Sequence, residues 1–118
     1  MAAIKSYTDI EQSRKLAEIL SIESADMYWY LAIKGNPRVA FNEGYNEYGD
    51  FELPCWSLAA LLGIIRKTIG YTLYGVDNYV YMSCDIGNKP WKLETELYNN
   101  EVDACYQMII RLNELNLL

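Results

Sequence analysis

The stretch "PCWSLAALLGIIRK", Pro54 to Lys67, constrains this chain more than any other. Leu58, Leu61, Leu62, Ile65 and Ile69 recur at helical spacing, and Ala59, Ala60 and Gly63 keep the remaining faces small instead of charged. Pro54 disfavours a helical Leu53, Ser57 is a natural N-cap, and Trp56 and Leu61 stand at the N′ and N4 spacing of a hydrophobic staple. Arg66 and Lys67 fall in the last turn, where cations complement the helix dipole, and Gly70 follows as a C-terminal stop. The longest uninterrupted apolar run, Leu58 to Ile65, is far below the roughly 20 residues that span a bilayer. The stretch therefore predicts a buried core helix over 57–68, and no membrane segment.

The elements on either side can be read in the same way. "YTDIEQSRKLAEIL" predicts a helix over about 8–20, with Thr8 and Glu11 in capping-box spacing. "NNEVDACYQMIIRLNELNLL" predicts a helix over about 101–115, with Asn100 as N-cap and Glu101 and Asp103 in its first turn. "MYWYLAIK" alternates as a strand, "GNP" reads as a turn and "RVAF" as the returning half of a hairpin. "NEGYNEYGDFE", residues 42–52, reads as an acidic surface loop. "YTLY", "NYVYMSCDI" and "WKLETELY" read as three strands of an antiparallel meander. The last of them is expected to turn Trp91, Leu93, Thr95 and Leu97 to one face. The expected fold is one α+β domain over 1–118, a mainly antiparallel sheet of four to five strands with three helices gathered on one face.

Four of these stretches, "YTDIEQSRKLAEIL", "ESADMYW", "PCWSLAALLG" and "VDACYQMIIRLNELNLL", together resemble a family of small uncharacterised proteins of gut Bacteroides-type bacteria and their prophages or mobile elements. The blocks occur in the family's order and cover both ends and the middle of the chain. Proline is expected in the family after the first helix and at the first position of the last; Ser21 and Glu101 stand there instead, and neither change removes a cap. The resemblance implies a bacterial or phage origin and a cytoplasmic setting. It carries no functional residue across.

Chemistry is sparse in these residues. The chain of 118 residues has no histidine, which removes the commonest general base and metal ligand. No glycine pattern matches a phosphate loop, so no cofactor is expected. Cys55, Cys84 and Cys105 lie on separate elements and none belongs to a C-x-x-C pair. They read as reduced packing residues and not as zinc ligands, although Cys55 stands at a helix entrance where a thiol can be activated. Glu23 and Asp26, or Glu94 and Glu96, could in principle form a carboxylate pair, but so short a chain offers little cleft. No catalytic and no metal site is assigned.

The net charge of −6 argues against direct nucleic-acid binding and against an anionic membrane surface. The eleven tyrosines point elsewhere. Strand alternation sends Tyr28 and Tyr30 away from the aliphatic face of their strand, and Tyr79 and Tyr81 away from theirs, with Tyr74 and Tyr98 as possible additions. On one sheet these four form a candidate interface for a protein partner or a second copy. Glu43, Glu47, Asp50 and Glu52 form a second candidate surface, an acidic loop suited to a basic partner. The expected function is a cytoplasmic, non-enzymatic protein-interaction module or homo-oligomer. The alternatives are an acidic phage-type inhibitor or nucleic-acid mimic that binds a basic host protein, and a small carboxylate enzyme.

Overall fold

The fold was analysed in a computed structural model that describes residues 4–31, 36–41, 51–86 and 92–118. These residues form three α-helices and six strands: α1 Ile10–Ala17, β1 Met27–Leu31, β2 Arg38–Phe41, β3 Phe51–Cys55, α2 Leu58–Thr68, β4 Tyr71–Val76, β5 Tyr79–Asp85, β6 Lys92–Glu94 and α3 Glu101–Glu114. The class is α+β, as expected, but there is no single sheet of four to five strands. Two three-stranded antiparallel sheets form, ordered β2-β1-β3 and β4-β5-β6. The additional strand is β3, which takes in the end of the stretch read as a loop and runs through Pro54. It pairs with β1 along its whole length, from Met27↔Cys55 to Leu31↔Phe51. A proline is tolerated there because β3 is an edge strand of its sheet.

All three helices have side-chain N-caps. Ser57 Oγ accepts from the Ala60 amide at 3.2 Å, and Asn100 Oδ1 from the Asp103 amide at 2.8 Å. In α1 the capping box is formed by Asp9 and Gln12, one residue later than expected. The cause is that the Thr8 hydroxyl is taken up in buried contacts of its own. The same helix ends at Ala17 rather than near 20, because its last turn tightens: the Glu18 amide bonds to Lys15 O and that of Ile19 to Leu16 O. Helix α2 does not stop on a left-handed glycine. Ile69 is already extended (φ −159°, ψ 152°) and the chain passes straight into β4.

The core gathers Leu16, Trp56, Leu61, Ile65, Met82, Cys84, Val102, Cys105, Met108, Ile109 and Leu112, all fully buried. Helix α3 packs on β5 and on α2, while α1 packs on β3. The staple residues Trp56 and Leu61 both lie in this cluster. Strand β6 is shorter than expected. Thr95 follows Leu93 inward as expected, but its Oγ1 takes the place of its carbonyl and accepts from the Met82 amide at 3.0 Å, and the alternation ends there. Leu97 is left 53% exposed, and Tyr98 rejoins the sheet through a single bridge to Val80. Trp91 lies outside the described residues.

Burial separates two neighbouring leucines of α2: Leu61 is fully buried and Leu62 only in part. Leu61→Ala is expected to cost about 2–5 kcal/mol, the range for a leucine removed from a packed core. Leu62→Ala is expected to cost distinctly less. Denaturant unfolding of the two variants checks the order, and equal losses would show that α2 does not direct one face into the core.

Candidate functional site

Four sets of residues were weighed as a site: the polar groups around Thr8, the charged cluster around Asp103, the cysteines, and the tyrosines.

Thr8 is fully buried, and every polar atom of its hydroxyl and carbonyl is engaged. Its Oγ1 lies 2.8 Å from Ser13 Oγ, accepts the Trp56 amide at 3.2 Å and donates to Cys55 Sγ at 3.6 Å. Its carbonyl accepts Trp29 Nε1 at 3.0 Å and the Cys55 thiol at 3.4 Å. One proton arrangement satisfies all of these at once: Ser13 donates to Thr8, Thr8 to Cys55, and Cys55 to the Thr8 carbonyl. Nearby, Trp56 Nε1 donates to Ser24 Oγ at 2.9 Å. Asp26 accepts both the amide and the hydroxyl of Ser57. Asp26 is thus the orienting partner of the α2 cap, not half of a catalytic carboxylate pair with Glu23.

The charged cluster ties the two ends of the fold together. Asp103 Oδ1 accepts Lys5 Nζ and Gln12 Nε2, both at 2.8 Å, and Oδ2 accepts Asn100 Nδ2 at 2.8 Å. Lys5 also reaches Asp9 at 3.0 Å. Burial pushes the Asp103 carboxyl up, but its bonds to Lys5, Gln12 and Asn100 outweigh that and hold it below its ordinary 3.8. Burial likewise pulls Lys5 down, and its bonds to Asp103 and Asp9 leave it above 10.5. Both carboxylates of this cluster accept from donors within the protein, so it is structural.

The cysteines are free and buried. Desolvation raises all three thiols, Cys84 to about 11 and Cys105 to about 12. Cys55 stands at the entrance to α2 but its thiol is turned onto the Thr8 carbonyl, away from the helix amides. Among the described residues, no group of three or more His, Cys, Asp or Glu side chains could hold a metal ion, and no helix is long and apolar enough to cross a membrane. An open pocket of about 360 Å³ lies between Ser6, Tyr7, Met27, Val39, Ala40 and Ser57. Its lining has no carboxylate, amine or thiol.

The four tyrosines do not share a sheet. Tyr28 and Tyr30 lie on β1, and Tyr79 and Tyr81 on β5 of the other sheet. Within each strand the expected alternation holds. Met27, Trp29 and Leu53 face α1, with Trp29 edge-on to Tyr7 at 5.8 Å. Tyr28 and Tyr30 occupy the opposite face beside Ala40, Arg38 and Pro54, and both are half-buried. On the second sheet, Val80, Met82 and Cys84 turn inward with Leu73, Tyr71 and Leu93. Tyr79 and Tyr81 turn outward with Val76 and Tyr74. Tyr74 and Tyr81 are cross-strand partners, stacked at 4.9 Å with their planes 19° apart. Val76 is 44% and Tyr79 50% exposed. Tyr98 pairs with Val80 and so belongs to the inner side. Of the acidic loop, Glu43, Glu47 and Asp50 lie outside the described residues, and Glu52 stands on β3 in register with Tyr30.

The outward group Tyr74, Val76, Tyr79 and Tyr81 is therefore the candidate site. Sequence reasoning found Tyr79 and Tyr81 and named Tyr74 as an addition. It missed Val76, although the two-residue "DN" between Val76 and Tyr79 was a sufficient signal of the pairing. Asp77 takes a positive φ (55°) at the first position of this two-residue turn, and Val76 stands opposite Tyr79.

Two predictions follow from the clusters found to be structural. Asp103 has a lowered pKa in the folded state, so its contribution is present above pH 3.8 and disappears as the pH falls through the lower folded value. Lys5 has a raised one, so its share persists up to 10.5 and disappears as the pH rises beyond. Asp103→Ala is expected to cost about 2 kcal/mol at neutral pH, less at high salt because both partners are 26% exposed, and to remove part of the acid limb of the stability profile. Urea melts across the pH range test this. The thiols are expected to label with Ellman-type reagents only after unfolding, and rapid native labelling of Cys55 would contradict its engagement with Thr8. Compared with known proteins, the chain matches no family model, no curated protein and no solved structure.

Proposed function

We propose that the chain is a small cytoplasmic, non-enzymatic protein-interaction module whose working surface is the outer face of the second sheet. One observation carries this reading: Tyr74, Val76, Tyr79 and Tyr81 form a contiguous aromatic and aliphatic patch, and α3 packs on the other side of the sheet. Tyrosines combine large apolar area, few rotatable bonds and a polar tip, the properties enriched at protein interfaces. Exposed Asp77 lies at the hairpin tip, and exposed Glu94 shares the outer face through its pairing with Ser83. A complementary partner therefore offers an apolar centre with lysine or arginine at its edge.

Replacing both Tyr74 and Tyr79 with Ser is expected to leave unfolding within about 1 kcal/mol of the parent, as both side chains are largely outside the core. It is also expected to abolish association, read as capture of a partner from bacterial lysate. Binding that survives the double substitution but vanishes at high salt would instead favour the acidic-mimic reading.

A further inference from the structure

The backbone of β4 is a second feature of the same sheet. The Asp85 amide bonds to Gly70 O at 3.4 Å, and Gly70 and Asp85 continue the register in which Thr72 faces Ser83, Tyr74 faces Tyr81 and Val76 faces Tyr79. In an antiparallel ladder the hydrogen-bonded pairs alternate. Thr72, Tyr74 and Val76 thus spend their N–H and C=O groups on β5, and those of Tyr71, Leu73 and Gly75 point away from it. β4 is the outer strand of its sheet, and these outward groups have no hydrogen-bond partner among the described residues.

Natural edge strands are usually blunted by charge, proline or a bulge. The other described edges follow this: β2 has Arg38, β3 has Glu52 and Pro54, and β6 has Lys92 and Glu94. "YTLYGV" has no charge and no proline, and it pairs without interruption over six residues.

We propose that two copies of the chain pair β4 to β4, antiparallel about a two-fold axis at Leu73, and so join two three-stranded sheets into one of six. This deepens the interaction-module reading and rests on it, by naming a second copy as the partner. Three features favour a copy of the chain over another strand. In this register Leu73 meets its own counterpart, and Tyr71 faces Gly75 of the copy. A Cβ built at Gly75 has nothing within 4 Å, and Tyr71 and Gly75 lie on the same face, so the ring has an open floor to lie on, as aromatic residues do over edge glycines. With a net charge of −6, the chain meets its copy with least repulsion along a strand that has no charge. The arrangement also closes this edge: each β4 satisfies the other and no third strand can add between them, while the outer β6 edges have Lys92 and Glu94. It brings the Tyr74 and Tyr81 stacks of both copies onto one continuous outer face. One paired edge with its bordering rings falls below about 1,200 Å² in total, the size of weak, concentration-dependent association.

Amide hydrogen exchange on the unmodified protein, from dilute to millimolar concentration, tests the pairing directly. The amides of Thr72, Tyr74 and Val76 are expected to be protected throughout, and those of Tyr71, Leu73 and Gly75 only at high concentration. Gly75→Pro removes an outward donor from each copy while leaving the ladder to β5 intact, and is expected to weaken the dimer about tenfold or more. A mass of one chain at every concentration overturns the proposal. So does a dimer in which the Tyr71, Leu73 and Gly75 amides exchange as freely as in dilute solution. Loss of lysate capture in the Tyr74 and Tyr79 variant depends on neither result, so failure of the pairing is distinguishable from failure of the interaction-module reading.

Discussion

The pairing of residues 6–8 with residues 56–58 organises the rest of the structure. The Thr8 amide donates to Trp56 O and the Leu58 amide to Ser6 O, both at 3.0 Å, which extends the edge of the first sheet beyond β3. That short ladder holds Thr8 where its hydroxyl and carbonyl satisfy two tryptophans, a serine and a thiol in the buried interior. An unpaired polar group there would cost on the order of 1–3 kcal/mol. The same contact sets the start of α1 one residue later, at the Asp9 cap, and fixes Trp56 as the staple of α2. One threonine thus positions a sheet edge, two helix starts and a core tryptophan.

Four stretches of the chain interlock in the same region. Ser24 and Asp26 of "ESADMYW" bond to Trp56 and Ser57 of "PCWSLAALLG", and Trp29 bonds to Thr8 of "YTDIEQ". Asp103 of "VDACYQ" bonds to Gln12. Their polar and aromatic residues have partners within the fold, so they account for its assembly. The proposed interface draws on a different part of the chain, Tyr71–Tyr81, which lies outside all four stretches.

What was legible in the sequence was local. Caps and apolar stripes are written within one turn of the residues they serve, so Ser57, Asn100 and the stripe of α2 gave helices whose starts fall within a residue or two. Strand alternation likewise placed Tyr79 and Tyr81 opposite Val80, Met82 and Cys84 on β5, although Ser83 on the tyrosine side is buried. Which strands share a sheet is a non-local property. Inserting α2 between β3 and β4 separates two hairpin systems, and nothing in the spacing of Tyr28, Tyr30, Tyr79 and Tyr81 signals that they lie in different sheets. Strand β3 was hidden because glycines and acids precede it and a proline interrupts it, the marks of a loop, and an edge position tolerates them. Leu97 was misread as part of a regular alternation because the Thr95 hydroxyl substitutes for a backbone acceptor and the ladder shifts by one residue beyond it, which periodicity cannot express.

Lys5 and Asp103 are 98 positions apart, and this separation bears on how the chain is made as well as how it is held. While the protein is being synthesised, α1 can form its Asp9 cap and Lys5 can pair with Asp9, but neither Lys5 nor Gln12 can bind the Asp103 carboxylate until the start of α3 has left the ribosome. Contacts this distant in sequence incur their loop-closure entropy late. Until α3 emerges, the first sheet and α1 therefore have Leu16 without its α3 neighbours in the shared core. The core of such a fold closes only when α3 has followed the first sheet out of the ribosome, which leaves the earlier elements open to proteases and chaperones until then.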